Sequence, residues 1–280
     1  MNKLALGTVQ FGLDYGISNI GGQVSLEEAR KVLKLAKEHD IDTLDTASGY
    51  GNSEKVLGKI GVNDFQIVTK TTSLQLGVDN VLQSFYQSLT DLNATSVYGL
   101  LIHNIDDTKD KQFDTLYKEL DKLKQDKLIN KIGFSTYTPD QVDFLLDNFD
   151  FDLIQVPFNV FDTRLIDGGQ LQILRNKQIE IHARSVFLQG VLLSLDSLSD
   201  YFTTWDAQFE QYQGLVREKE LSLLEYALNF ALNTQELDKI LVGVDSVDQL
   251  TDIVNAFKSD VDLKAFKIDD INLLNPNLWN

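Results

Sequence analysis

Short apolar runs alternate with amphipathic segments along the chain, and this alternation constrains the fold more than any other feature. Eight runs have the length and the aliphatic, often β-branched composition of buried strands. Near-continuous apolar strands separated by helices are typical of a parallel sheet that is covered on both faces. The predicted strands span residues 4–8, 41–45, 66–70, 98–103, 131–135, 153–158, 180–186 and 239–244.

An amphipathic segment follows each predicted strand. Ser25 reads as the N-cap of the first helix, with Glu28 as its capping-box partner, and Thr138 with Pro139 reads as the start of another. The predicted helices span residues 25–39, 53–59, 78–92, 112–125, 139–147, 170–176, 218–232 and 247–257. Eight strand–helix repeats are the number that closes a (β/α)8 TIM barrel. We therefore predict this α/β fold, as one domain over residues 1–280.

An open doubly wound sheet is the alternative fold. It favours a G-x-G-x-x-G turn after the first strand, whereas here Gly7 and Gly12 are wrongly spaced for that motif. One long irregular stretch interrupts the repeats, at residues 193–214, and it contains five of the chain's aromatic residues. It is interpreted either as a lid or as a packed surface segment.

The composition narrows the possible partners and compartment. A formal net charge of −17 disfavours phosphate backbones and anionic lipid, so we expect no nucleic-acid and no membrane partner. The chain has no cysteine, which excludes disulfides, and its three histidines make a metal site unexpected. No apolar run approaches the ~18 residues of a transmembrane helix, and the first apolar stretch is too short for a secretory signal. We expect a cytoplasmic protein.

Four ionisable residues occur at equivalent places in the repeats. Asp45, Lys70 and His103 end the second, third and fourth predicted strands, and Tyr50 lies in the loop after the second. The carboxyl ends of the strands form the active-site face of a TIM barrel, and adjacent strands are about 4.8 Å apart. The side chains are therefore expected to converge, although each alone is more often a cap, a rim charge or a satisfied core residue.

The residue types indicate carbonyl chemistry. A tyrosine hydroxyl has a reference pKa of about 10, and a neighbouring ammonium is expected to lower it. Asp45 supplies a counter-ion for Lys70, and a neutral His103 donates a hydrogen bond to a carbonyl oxygen. Such a site suits the reduction of an aldehyde or ketone, with the hydride supplied by a cofactor.

The motif from Asp45 through Tyr50 and Gly51 to Ser53 and Glu54 resembles the second-strand motif of the aldo-keto reductase family, and the resemblance extends over nearly the whole chain. It implies that Tyr50 is the general acid and that Asp45, Lys70 and His103 complete a catalytic tetrad. It also implies a nicotinamide cofactor and a small carbonyl substrate.

The resemblance also assigns a cofactor site. Ser135 and Gln155 match residues that hold the nicotinamide amide. Thr136 stands where the family has Asn, and Arg184 where it has a stacking aromatic, a role that a guanidinium plane can also take. The other residues assigned to the cofactor are Gly7, Thr8, Ser185, Phe187, Gln189, Gly190, Gly243, Val244, Ser246, Gln249 and Asp252.

The choice between cofactors depends on the segment after the eighth strand. The family resemblance implies NADP(H), whose 2′-phosphate is commonly held there by Lys or Arg. No such cation occurs between Ile240 and Phe257, and Asp245 and Asp248 oppose a phosphate. These residues favour NAD(H) or weak discrimination, although Ser246, Gln249 and helix N-terminal amides can receive an anion.

Two other functions are compatible with these residues. Lys70 is a candidate for a Schiff base, which makes a lyase the first alternative. A non-catalytic relative that binds the cofactor is the second, favoured by Thr136 and Arg184. Neither the substrate nor the oligomeric state is readable. The residues expected at the mouth of the site are Phe11, Asp14, Tyr15, Asn104, Tyr137, Phe158 and Asn159.

Overall fold

Eight parallel strands close into a barrel in the computed structural model, which describes residues 3–17, 19, 21–258 and 261–279. Neighbours in the sequence are neighbours in the barrel, and β1 pairs with β8 to close it. The predicted (β/α)8 barrel is confirmed, and closure excludes the open doubly wound sheet. The strands are β1 (Leu4–Gly7), β2 (Thr43–Asp45), β3 (Gln66–Lys70), β4 (Val97–Ile102), β5 (Ile129–Ser135), β6 (Leu153–Pro157), β7 (Glu180–Arg184) and β8 (Lys239–Gly243).

Helices follow the strands and cover the barrel. In the described residues they are α1 (Leu26–Glu38), α2 (Ser53–Ile60), α3 (Val78–Leu92), α4 (Phe113–Gln125), α5 (Pro139–Asn148), α6 (Arg164–Asp167), α7 (Gln170–Asn176), α8 (Asp206–Glu218), α9 (Leu223–Asn233), α10 (Val247–Asn255) and α11 (Ile271–Leu274). None of the described helices is long and apolar enough to cross a membrane.

The apolar core has two parts. The larger part contains residues from the strands and from the surrounding helices, such as Leu44 and Leu57. A second, small cluster consists of Val68, Leu101 and Leu153, all fully buried. Because β4 and β6 are separated by β5, contact between their side chains places this cluster inside the barrel. At this layer the barrel interior is therefore filled by side chains.

The helix predicted over residues 218–232 begins five residues later, at Leu223, so its predicted start is wrong. α8 ends at Glu218, Glu220 adopts a left-handed backbone with φ of +55°, and α9 begins after Ser222. Ser222 forms a full capping box with Glu225, with bonds of 3.1 and 2.8 Å. This start signal was present in the sequence, because Ser222 precedes Glu225 by three residues.

The stretch 193–214 is packed against the barrel and is not an open lid. It contains short 3-10 turns and the first part of α8. Four of its five aromatic side chains, Phe202, Trp205, Phe209 and Tyr212, are buried, and Tyr212 packs edge-on against Phe161 at 5.0 Å. The packed-segment interpretation is therefore the correct one.

Glu28 does not complete the predicted capping box. Ser25 caps α1, since its hydroxyl accepts the Glu28 N–H at 3.2 Å. The Glu28 carboxylate instead accepts the backbone N–H of Val247 at 2.8 Å, at the first residue of α10. The carboxylate thus links the amino-terminal ends of two helices that are far apart in sequence.

A group of polar residues lies near the amino-terminal ends of the strands, and we call it the floor cluster: Tyr98, Lys131, Glu180 and His182. Glu180 accepts hydrogen bonds from the Tyr98 hydroxyl and the His182 ring, each 2.7 Å, and forms an ion pair with Lys131. The Lys131 ammonium also lies 5.0 Å from the centre of the Tyr98 ring. Most polar atoms of the cluster are satisfied by one another.

Candidate active site

The carboxyl ends of β2 and β3 hold a buried ion pair. Asp45 and Lys70 are the last residues of these neighbouring strands, and the Lys70 ammonium donates to Asp45 Oδ1 at 2.7 Å. It also donates to the Thr46 carbonyl at 2.8 Å. The two side chains are only 1% and 5% exposed, so the pair is shielded from water and salt.

Close packing of two glycines shapes the loop that carries Tyr50. Gly51 has φ of +58°, a left-handed conformation that glycine adopts without strain. A Cβ atom at Gly12 would lie 1.8 Å from the Tyr50 carbonyl oxygen, so a larger residue there would displace the loop. The Tyr50 ring centre consequently lies 5.0 Å from the Lys70 ammonium and 6.2 Å from the His103 ring. The four predicted catalytic residues therefore lie together.

Ser53 and Glu54 anchor this loop. The Ser53 hydroxyl, at the start of α2, donates to the Thr8 carbonyl at 2.8 Å. The Glu54 carboxylate accepts from the Thr69 hydroxyl at 2.6 Å, and burial raises its pKa. These contacts join α2 to the chain after β1 and to β3. The polar end of the motif thus has a structural role, which is to hold the Tyr50 loop in place.

Burial dominates the protonation of the site. It raises the pKa of Tyr50 above its ordinary value, although the positive charge of Lys70 opposes this. Lys70 acts on the Tyr50 pKa in the predicted direction, but burial outweighs it, so the expected net lowering does not occur. Burial also acts on Lys70, but Asp45 and Tyr50 outweigh it and raise the Lys70 pKa. Burial and the charge of Lys70 lower the pKa of His103 to about 4. At neutral pH the site holds a protonated tyrosine and a neutral histidine.

Gln155 positions Asp45. Its side-chain amide, 1% exposed, donates to Asp45 Oδ2 at 2.7 Å, while Lys70 binds the other carboxylate oxygen. Asp45 is therefore held from two sides, which fixes the direction of its charge. The sequence did not indicate this contact, because Gln155 lies 110 residues from Asp45.

A cavity of about 510 Å³ extends from Tyr50 to α10. It is bordered by residues from the ends of β1 to β8, and the predicted catalytic residues all line it. The predicted cofactor residues that line it are Gly7, Thr8, Ser135, Gln155, Arg184, Ser185, Phe187, Gln189, Gly190, Gly243, Gln249 and Asp252. Thr136, Val244 and Ser246 do not: Thr136 and Val244 are buried, and the Ser246 hydroxyl caps α10.

Arg184 and Thr136, the two departures from the family pattern, contact each other. The Arg184 Nη2 group donates to the Thr136 carbonyl at 2.9 Å, and Nη1 donates to the Ser185 hydroxyl at 3.3 Å. The guanidinium carbon lies 4.2 Å from the centre of the Tyr137 ring. The guanidinium is therefore held against an aromatic side chain at one end of the cavity.

Acceptor atoms and carboxylates surround the amino-terminal end of α10. Glu28 occupies the Val247 N–H, and Ser246 accepts the Gln249 N–H at 3.2 Å. The Asp245 N–H donates to Gln249 Oε1 at 2.8 Å. Burial raises the Asp245 pKa, and its Oδ1 atom is buried without a hydrogen-bond partner, as is Oε1 of Gln10. This end of the cavity is rich in acceptors and poor in positive charge.

The predicted mouth is partly wrong. Tyr15 and Tyr137 line the cavity, and the Tyr15 hydroxyl accepts a hydrogen bond from Gln189 at 2.9 Å. Phe11, Phe158 and Asn159 are buried in the interior instead. A strand-end position therefore did not suffice to predict which side chains face the cavity. Asp14 and Asn104 are exposed and lie outside the residues that line it.

Sequence reasoning missed two polar residues here. Gln10 lies in the turn after β1 and borders the cavity, and its side chain covers Gly243. Its position just after a predicted strand end was a usable signal. Glu28 gave none, because its contact with Val247 spans 219 residues. No group of three or more metal-binding side chains suited to a metal ion occurs in the described part of the chain.

The fold and the site place the chain among the closed parallel (β/α)8 barrels that carry a cluster of ionisable residues at the carboxyl ends of their strands. Residues 3–274 match the model of the Aldo/keto reductase family, and the chain belongs to this family.

Curated relatives of the chain are oxidoreductases. It is 25% identical to the L-galactose dehydrogenase of Arabidopsis thaliana, over 90% of this chain and 85% of the plant protein. It is 29% identical to the oxidoreductase sirO of Leptosphaeria maculans, over 72% of this chain and 65% of the fungal protein. The family and these relatives identify an oxidoreductase.

Solved structures share the fold. A glycerol dehydrogenase of Gluconobacter oxydans superposes with a TM-score of 0.73 at 21% identity, covering 94% of this chain and 88% of the other. An aldo-keto reductase of Bacillus halodurans gives a TM-score of 0.72 at 20% identity, covering 93% and 87%. At this level of identity the likeness concerns the barrel alone.

Proposed function

We propose that this protein reduces a small aldehyde or ketone, or oxidises the matching alcohol, with a nicotinamide cofactor. The observation that carries the proposal is the buried Lys70–Asp45 pair, 2.7 Å apart, beside Tyr50 in a cavity at the carboxyl ends of the strands. The family membership and the oxidoreductase relatives support the same reaction class.

Each catalytic residue has a distinct role in the proposal. Tyr50 gives its hydroxyl proton to the carbonyl oxygen during reduction, and its raised pKa keeps that proton in place beforehand. Lys70 offsets the negative charge that remains on the phenolate, and Asp45 holds Lys70. His103, neutral because its pKa is about 4, donates a ring N–H toward the same oxygen.

In the proposal the nicotinamide cofactor lies along the cavity that extends from Tyr50 to α10. The cofactor supplies the hydride when bound. Ser135 and Gln155 are proposed to hold the nicotinamide end, beside Arg184. The proposed contacts along the rest of the cavity come from Gly7, Thr8, Ser185, Phe187, Gln189, Gly190, Gly243, Gln249 and Asp252. Orphaned acceptors near α10, Oδ1 of Asp245 and Oε1 of Gln10, suit hydroxyl and amino donors of an adenosine.

The family resemblance implies NADP(H), but the residues at the α10 end of the cavity favour NAD(H). A 2′-phosphate brings about two negative charges at neutral pH. Glu28 already occupies the Val247 N–H, and Asp245 borders the cavity. No lysine or arginine occurs between Ile240 and Phe257 to compensate. Each carboxylate close to the 2′-phosphate weakens NADP(H) binding by about 1 kcal/mol or more.

The lyase alternative finds no support in the geometry. A Schiff base requires a neutral amine, whereas Asp45 and Tyr50 outweigh burial and raise the Lys70 pKa. The Lys70 ammonium is also bound by Asp45 and the Thr46 carbonyl. Borohydride treatment in the presence of an aldehyde is expected to leave Lys70 unmodified. Covalent trapping at Lys70 would establish the lyase and end the reductase proposal.

Parallel titrations with NADH and NADPH, followed by nicotinamide fluorescence, test the cofactor proposal. We expect both to bind, with NADH at least as tight as NADPH. Asp245→Arg is expected to tighten NADPH binding roughly tenfold and to leave NADH nearly unchanged, because only NADPH carries the extra phosphate. Asp245→Asn is the matched control that removes charge without adding a cation. Wild-type protein that binds NADPH hundreds of times more tightly than NADH would refute the preference, and no binding of either would refute the reductase.

A further inference from the structure

Arg184 is a cation in the cavity without a carboxylate partner. Among the described residues no Asp or Glu forms an ion pair with it, whereas Arg164 and Arg175 are paired with Asp162 and Asp238. The chain has 42 acidic and 25 basic residues, so an unpaired guanidinium in a cavity is not a consequence of scarce acids. Its charge is available to a ligand.

The structure orients Arg184 in advance. One face of the guanidinium lies on the Tyr137 ring at 4.2 Å, and two of its N–H groups bind neutral oxygens, the Thr136 carbonyl and the Ser185 hydroxyl. A guanidinium has five N–H donors, so others remain for a ligand. Because the side chain is already held, little conformational entropy is lost when an anion binds.

Arg184 belongs to the catalytic end of the cavity. It lines the cavity together with Tyr50 and His103. Burial and Lys70 have larger effects, but the charge of Arg184 also helps to lower the His103 pKa. On Tyr50, where burial raises the pKa, Arg184 acts in the lowering direction with Lys70. A substrate that contacts Tyr50 therefore shares this cavity with the Arg184 guanidinium.

We infer that the substrate is an aldehyde or ketone that carries a carboxylate, and that Arg184 binds this carboxylate while the carbonyl oxygen faces Tyr50. The inference rests on the proposed carbonyl reduction. A planar guanidinium matches a carboxylate through two parallel N–H···O bonds. The net charge of −17 opposes anions in general, so a local cation is required for such a substrate. The free face of Arg184 stays available to a cofactor ring, since the carboxylate uses the N–H edge.

A pair of aldehydes of nearly equal shape tests the charge alone: 4-carboxybenzaldehyde and its neutral amide, 4-formylbenzamide. We expect the wild-type protein, saturated with NADH, to show a kcat/KM roughly 10- to 100-fold higher for the carboxylate, the range of a charged hydrogen-bonded contact. The difference is expected in KM. In Arg184→Gln the ratio of the two kcat/KM values should approach one. Taking the ratio within one protein cancels any shared change in cofactor binding.

Matched variants separate charge from shape. Arg184→Lys keeps the charge but loses the planar fork, so an intermediate ratio is expected. Tyr137→Phe keeps the ring under Arg184 and should keep the wild-type ratio, whereas Tyr137→Leu removes the stacking partner and should lower it. Equal efficiency for both aldehydes in the wild type would overturn the inference. So would a weaker NADH affinity in Arg184→Gln with an unchanged ratio, because Arg184 would then serve the cofactor.

Calorimetric titration of the full-length protein with 4-carboxybenzaldehyde provides a readout without turnover. Binding that is strong in the wild type and lost in Arg184→Gln, with no reduction of either aldehyde, would support the anion site and refute the reductase. Reduction of the amide with no binding preference for the carboxylate would support the reductase and refute the anion site.

Discussion

The barrel contains two groups of ionisable residues, one at each end of its strands, and they differ in how their charges are balanced. In the floor cluster burial raises the Glu180 pKa, but hydrogen bonds from His182 and Lys131 outweigh it and bring the pKa to about 2. At the other end, in the candidate active site, burial determines the direction of the pKa shift at Tyr50 and His103 but not at Lys70. It keeps Tyr50 protonated against Lys70, and it lowers the His103 pKa to about 4.

The difference shows why buried charge alone does not identify an active site. Glu180 is surrounded by donors from β4, β5 and β7, so its charged form is satisfied within the protein. Tyr50 and His103 border a cavity, and burial favours the neutral form of each. A charge balanced in this way inside the protein stabilises the fold, whereas groups held neutral beside a cavity are poised to exchange a proton with a ligand.

Tyr50→Phe is expected to show the largest effect at the catalytic end. Carbonyl reduction should fall by ~10²–10⁴, because the variant lacks the proton donor. The unfolding free energy should change little, since the ring and its packing remain. Steady-state rates and urea unfolding of both proteins measure the two quantities. Wild-type turnover in Tyr50→Phe would remove Tyr50 from the mechanism.

Glu180→Gln is expected to show the opposite pattern at the floor. The change leaves Lys131 and His182 without their acidic partner, which should lower the unfolding free energy by about 2–3 kcal/mol. The expected loss is somewhat smaller than for a fully buried ion pair, because the Lys131 side chain is 28% exposed. The kcat at a temperature where the variant is folded should stay near the wild-type value. A variant that unfolds normally but loses turnover would show that the two ends are coupled.

The pH dependence of stability should separate the two ends, with smaller effects of about 1–2 kcal/mol each. His103 has a folded pKa of about 4, below the ordinary value of 6.5. As the pH falls, His103 is therefore protonated in the unfolded chain before it is protonated in the folded protein. The contribution of neutral His103 to stability is present above pH 6.5 and is lost as the pH falls to about 4. Glu180, with a folded pKa of about 2 against 4.5, loses its contribution between pH 4.5 and 2.

Unfolding measured from pH 7 to the lowest pH at which the protein stays native tests these windows. His103→Gln should flatten the curve between pH 6.5 and 4 only, and Glu180→Gln should flatten the part below pH 4.5. If His103→Gln leaves the slope between pH 6.5 and 4 unchanged, then the pKa of His103 is not lowered in the folded protein.

The sequence by itself determined the barrel and the face on which the candidate site lies. Strand and helix periodicities are local properties, and eight repeats leave few ways to close a sheet. Asp45, Lys70 and His103 were identifiable together because parallel strands bring their carboxyl ends to one side. The start of α9 at Ser222 was also readable, since its capping signal lies within four residues.

Only the tertiary structure decided which side chains meet across the barrel and how burial sets their charge. Glu28 reaches Val247 across 219 residues, and Gln155 reaches Asp45 across 110. Such contacts follow from packing and leave no local pattern. The sequence also indicated a lowered Tyr50 pKa from the neighbouring lysine, whereas the fold raises it. The sign depends on how much water each group loses, and that loss is defined only once the whole barrel has formed.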